Sequence, residues 1–88
     1  MTFPGGSAWA MVRDISEGYL LVTERSFVRL QRGELDQLTF ELDRRLREVR
    51  GEQPPLDATA ELQLRHRRIS RLVGAQRILH TSRTRRKV

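Results

Sequence analysis

The sequence predicts an α+β fold: a short three-stranded antiparallel meander, then an antiparallel two-helix hairpin and a basic disordered tail. Three observations predict it. Before position 32 the apolar residues fall in short runs rich in Val, Tyr, Phe, Trp and Thr, the types that fit a pleated, half-buried surface. From Glu34 onward the apolar spacing changes to threes and fours, the pattern of an amphipathic helix. A length of 88 residues, with 38% hydrophobic and 32% charged side chains, suits one small globular domain over residues 8–80, between an irregular arm (1–7) and a flexible tail (81–88).

Taken in order, the arm contains Pro4, Gly5 and Gly6, which neither continue a helix nor offer a packing face. The strands are expected over Ala8 to Val12, Tyr19 to Thr23 and Ser26 to Gln31. Asp14 to Gly18 supplies the polar residues and glycine of a hairpin loop, and Glu24 with Arg25 forms the second connection. In the third run Val28 and Leu30 alternate with Phe27, Arg29 and Gln31, as in a half-solvated strand.

The first helix is expected over Glu34 to Arg50, because Leu35, Leu38, Leu42, Leu46 and Val49 fall within about 80° on a wheel of ~100° per residue. Glu34 and Asp36 suit its first turn and Arg47 and Arg50 its last, while Glu41–Arg45 and Asp43–Arg47 are i,i+4 pairs. Gly51 offers a stop, and Pro54 and Pro55 bar continuation. Asp57 is placed to cap a second helix from Ala58 to His80, with Leu62, Ile69, Leu72, Val73, Gln76 and Leu79 as its stripe. Leu64, Ala75 and Ile78 fall outside that stripe, so this helix either lies between two surfaces or offers one to a partner. Thr81 to Val88 has no apolar periodicity and reads as the tail.

Charge is segregated along the chain. Leu62 to Val88 carries nine of the 17 basic residues and none of the 11 acids, so the first 61 residues are formally −3 and the last 27 are +9. Such a segment points to phosphate or an acidic surface. Sixteen of the cations are Arg, whose guanidinium pairs with phosphate or carboxylate through two parallel hydrogen bonds. Arg67, Arg68 and Arg71 form a band on the second helix opposite Leu62 and Val73, and Arg83, Arg85, Arg86 and Lys87 extend it along the tail. These seven are the expected nucleic-acid contacts, on DNA or RNA. They would hold backbone phosphates and not bases, since all five aromatics precede residue 41. The competing reading pairs the band with Glu41, Glu48 and other acids of the first helix, and the helix dipole alone favours Arg77.

A second function class is a protein-interaction module or homodimer using Phe40, Leu64 and Ile78, side chains that lie off the two helical stripes. An anionic membrane surface is the weakest partner of the three. No catalytic residue, cofactor or metal ligand is expected: no nucleophile stands near a base, no glycine-rich loop precedes a helix, and the chain has no Cys. His66 and His80 lie fourteen positions apart, roughly 21 Å along a helix, too far to share a metal. The longest uncharged stretch, Met1 to Val12, is shorter than the ~20 residues of a transmembrane span and lacks the basic start of a signal peptide. A cytoplasmic location is therefore expected.

Overall fold

A computed structural model of the protein describes Phe3 and residues 6–86, and among these residues there are three α-helices, one 3₁₀ turn and no strand. The expected α+β architecture is thus corrected to an all-α one. Helix α1 spans Ala8–Glu17, α2 spans Arg32–Gly51 and α3 spans Thr59–Arg86, with the 3₁₀ turn at Glu24–Phe27.

The first expected strand is the start of α1. Ala8, Met11, Val12 and Ile15 are all buried, and their i, i+3, i+4, i+7 spacing gives a helix one apolar face. Ser7 caps the helix by accepting a hydrogen bond from the Ala10 N–H at 3.1 Å. At the other end Gly18 takes a left-handed conformation with φ of 82°, and the Tyr19 N–H donates to the Asp14 carbonyl at 2.8 Å. Helix-forming spacing and both end signals outweigh the strand preference of Trp9 and Val12.

Residues 19–23 form no regular element, and burial alternates between exposed Tyr19 and Leu21 and half-buried Leu20 and Val22. That alternation comes from lying against α3, with no strand beside it. In the third expected strand the buried pair is Phe27 and Leu30, three apart, while Val28, Arg29 and Gln31 are exposed. This spacing belongs to the turn that follows the 3₁₀ segment, where the Leu30 N–H donates to the Phe27 carbonyl at 3.1 Å. The period-two reading of Val28 with Leu30 is overturned by that geometry.

Helix α2 includes the expected Glu34–Arg50 span, and Leu35, Leu38, Leu42, Leu46 and Val49 are all buried. Its first turn is closed by the Gln31 N–H donating to Glu34 Oε1 at 2.9 Å. The two expected i,i+4 ion pairs do not form. Glu41 meets Arg44, Arg45 meets Glu17 and Glu48, and Asp43 accepts from Gln76.

Helix α3 continues to Arg86, past the His80 boundary expected from periodicity, so Thr81–Arg86 is helical where a disordered tail was expected; Lys87 and Val88 lie outside the described residues. Its 28 residues span roughly 42 Å at 1.5 Å each, against a longest molecular extent of 48 Å. It runs antiparallel to α2, from Arg65 beside Glu52 to Arg83 beside Asp36, and α1 packs on both. Burial of Leu72, Ala75 and Leu79, with Ile69, Val73 and Ile78 packed around them, shows that α3 lies between two surfaces. The core is shared by all three helices and also takes in Phe3, Phe27 and Leu30.

Candidate functional site

The arginines of α3 divide by what they touch. Arg65 crosses to the end of α2, where its Nε donates to the carbonyls of Val49 at 3.2 Å and Glu52 at 2.9 Å, and its Nη2 to that of Arg50 at 2.9 Å. The Val49 carbonyl also accepts from the Glu52 N–H at 3.1 Å, and the negative end of the helix dipole attracts a cation. Arg71 does the same for α1: its Nη1 donates to the Ser16 carbonyl at 3.1 Å, and its guanidinium lies over Gly18. A Cβ on Gly18 would fall 2.9 Å from Arg71 Cζ. Glycine at this position provides both the left-handed turn and room for the guanidinium.

Arg68 turns inward between these two caps. Its Nη2 lies 3.1 Å from Glu17 Oε1 and 3.2 Å from Oε2, and its Nη1 lies 3.9 Å from Glu52. Arg45 of α2 approaches the same Glu17 at 3.8 Å, so one carboxylate of α1 gathers a cation from each of the other helices. Of the three residues expected to form one free cationic band, only Arg67 is exposed and without a partner among the described residues. Arg68 and Arg71 are engaged by α1.

The far end of α3 is tied down in the same way. Arg83 pairs with Asp36 and donates to Thr39 Oγ1 at 3.1 Å, and Arg85 pairs with Glu24 at 2.7 Å. Arg86 closes the helix in the chain order, and Lys87 lies outside the described residues. Asp36 and Glu24 therefore hold the last turns of α3 against α2 and the 3₁₀ turn, which accounts for helical order beyond His80. Sequence periodicity carries no sign of such distant partners.

At this end of the molecule three cations were missed by the sequence reading. Arg25, Arg29 and Arg32 are exposed, and their side chains make no hydrogen bond or ion pair among the described residues. They follow one another at spacings of four and three, interleaved with the buried anchors Phe27 and Leu30, and this interleaving is the signal that could have found them. The anchors hold the segment against α3 while its arginines face solvent. Counting residues 24–36 with 83–86 gives Arg25, Arg29, Arg32, Arg83, Arg85 and Arg86 against Glu24, Glu34 and Asp36, an excess of three that is half of the chain's formal +6.

The three expected interface residues are not brought together. Phe40 is 57% exposed and faces a shallow groove with Trp9, whereas Ile78 is packed against the core beside Leu20, Leu21 and Val22. Leu64 is 38% exposed and lies fourteen residues from Ile78, roughly 21 Å along α3. His66 and His80 are both exposed, and no group of three or more His, Cys, Asp or Glu is gathered among the described residues. A groove of about 450 Å³ between α2 and α3 is lined by Thr39, Asp43, Gln76 and His80 among others, yet Asp43 and Gln76 bond each other across it at 2.6 Å. Among the described residues no helix is long and apolar enough to cross a membrane.

No protein-family model, curated protein or solved structure matches this chain.

Proposed function

We propose that the protein is a non-enzymatic binding module that holds nucleic-acid phosphates, of DNA or RNA, at the end of the bundle made by the 3₁₀ turn, the start of α2 and the last turns of α3. The observation that carries this reading is the set of three partnerless arginines, Arg25, Arg29 and Arg32, on a segment fixed to the core by Phe27 and Leu30. Arg83 and Arg85 neutralise the acids beside them, Asp36 and Glu24, so those carboxylates oppose an approaching phosphate less. Arg67 and Arg77 are further free cations on α3.

Phe27 is buried and offers no ring for base stacking, and arginines alone fix position on the backbone without selecting sequence. The arginines Arg68 and Arg71 act in the fold, as helix caps and as the partner of Glu17, and are assigned no phosphate. A cytoplasmic location goes with this reading, supported by a cysteine-free chain that needs no oxidising compartment.

Fluorescence anisotropy of labelled duplex DNA and of structured RNA, titrated at several salt concentrations, tests the proposal. Four neutralised phosphates give a slope of log affinity against log salt of about −3.6 on duplex DNA. A salt-independent response, or no binding at low salt, overturns it.

A further inference from the structure

We propose that Glu24 masks Arg85 at the phosphate-binding end, an autoinhibitory contact that withholds one cation from a bound polyanion. The inference rests on the phosphate reading above and adds to it what limits the affinity of that end. Arg85 Nη1 lies 2.7 Å from Glu24 Oε2, although 61 positions separate the two residues in the chain. Glu24 opens the 3₁₀ turn and immediately precedes Arg25, one of the three free arginines, so the masked guanidinium is held to the same segment that carries the free ones.

The two ion pairs that join α3 to this end differ in what they can release. Arg83 is the fixed one: its side chain is 29% exposed, and besides pairing with Asp36 it donates to Thr39 Oγ1, which itself donates to the Leu35 carbonyl. Removing the Asp36 charge leaves that guanidinium tied to α2. The side chain of Arg85 is 70% exposed and that of Glu24 48%, and among the described residues this carboxylate is the one side-chain partner Arg85 has. Without Glu24 the Arg85 guanidinium is free to meet an anion from solvent.

Chemistry decides what the contact does. A carboxylate and a phosphate offer a guanidinium the same kind of charged acceptor oxygens, so Glu24 occupies the place a phosphate would take on Arg85. A phosphate that captures Arg85 must break this pair and then faces the freed carboxylate beside Arg25, a like-charge contact that cancels much of the gain. Arg25, Arg29 and Arg32 present no such exchange, since their side chains have no partner to lose among the described residues. The free arginines therefore take the phosphates while Arg85 stays with Glu24.

Two measurements on the full chain test this, one without nucleic acid and one with it. Modification by phenylglyoxal, followed by mass spectrometry, should be several-fold slower at Arg85 than at Arg77, which is exposed and partnerless among the described residues, and Glu24→Gln should bring Arg85 to the Arg77 rate. Anisotropy of labelled duplex DNA across salt reads the consequence. Glu24→Gln should steepen the slope of log affinity against log salt from about −3.6 to about −4.5, one added phosphate contact, and tighten binding up to about eightfold at 0.1 M salt. Adding Arg85→Gln to Glu24→Gln should restore the wild-type slope, and Asp36→Asn, which removes the same charge but leaves Arg83 on Thr39, should not steepen it. Equal labelling of Arg85 in the wild type and in Glu24→Gln overturns the proposal. So does a steeper slope that persists in the double variant or appears equally in Asp36→Asn, since either is a bulk effect of charge. If neither the wild type nor Glu24→Gln binds DNA while the labelling difference is intact, the phosphate reading falls and this proposal with it; a wild-type slope that Glu24→Gln leaves unchanged overturns the mask alone.

Discussion

Arg65 and Arg67 are two positions apart and have opposite consequences. Arg65 donates three hydrogen bonds to carbonyls at the end of α2, so Arg65→Met should lower stability by about 1–2 kcal/mol, discounted for the partial exposure of the site. Arg67 touches nothing charged among the described residues, and Arg67→Met should stay within about 0.5 kcal/mol. Urea unfolding of both variants measures the difference. Gly18 gives a second residue-level test, because any side chain there meets both an unfavourable φ and the Arg71 guanidinium. Gly18→Ala should cost about 1–2 kcal/mol, and less in an Arg71→Ala background. Strict additivity of the two substitutions would contradict the contact between them.

Individual elements show where sequence pattern is sufficient and where it is not. Helix α2 was legible because its five buried residues, Leu35 to Val49, form one narrow stripe that only a helix explains. Helix α1 is not, because its ten residues include Trp and Val, and Ile15 stands among polar residues that resemble a hairpin loop although it completes the i, i+3, i+4, i+7 face begun at Ala8. For α3 the stripe is broad because α1 and α2 cover different sides, and its end is set by Asp36 and Glu24, acids far away in the sequence. The free arginines of the candidate site are illegible in the sequence for a related reason: local clustering singles out Arg67, Arg68 and Arg71, yet pairing is decided by which helix ends they reach. Two measurements check these elements. Phe27→Ala should cost about 3–5 kcal/mol and Val28→Ala under about 0.5, the reverse of what a strand with Val28 facing inward requires. Amide exchange should show Thr81–Arg86 protected at low salt and less so at 1 M salt, where the Arg83 and Arg85 pairs are screened; exchange at coil rates in both would contradict a helix held by those pairs.

At the scale of the molecule, charge segregation along the sequence becomes a division of labour in space. Five of the C-terminal arginines are engaged within the fold: Arg65 and Arg71 close helix ends, and Arg68, Arg83 and Arg85 bind Glu17, Asp36 and Glu24. The surplus is carried instead by side chains with no partner, and Arg25, Arg29 and Arg32 gather three of them at one end. The exposed aromatics Trp9 and Phe40 share a groove on α1 and α2 with Asp36 and Glu41. The most direct measurement compares the salt slope of DNA binding for the wild-type chain, for Arg25→Gln with Arg29→Gln and Arg32→Gln, and for Arg67→Gln with Arg77→Gln. All five arginines are exposed and partnerless among the described residues, so folding is not at issue in either variant. Three lost phosphate contacts should flatten the slope by about 2.7, while the α3 pair should change it by no more than about 0.9. A triple variant that keeps the wild-type slope, or an α3 pair that abolishes it, would contradict the assignment of phosphate binding to the end of the bundle.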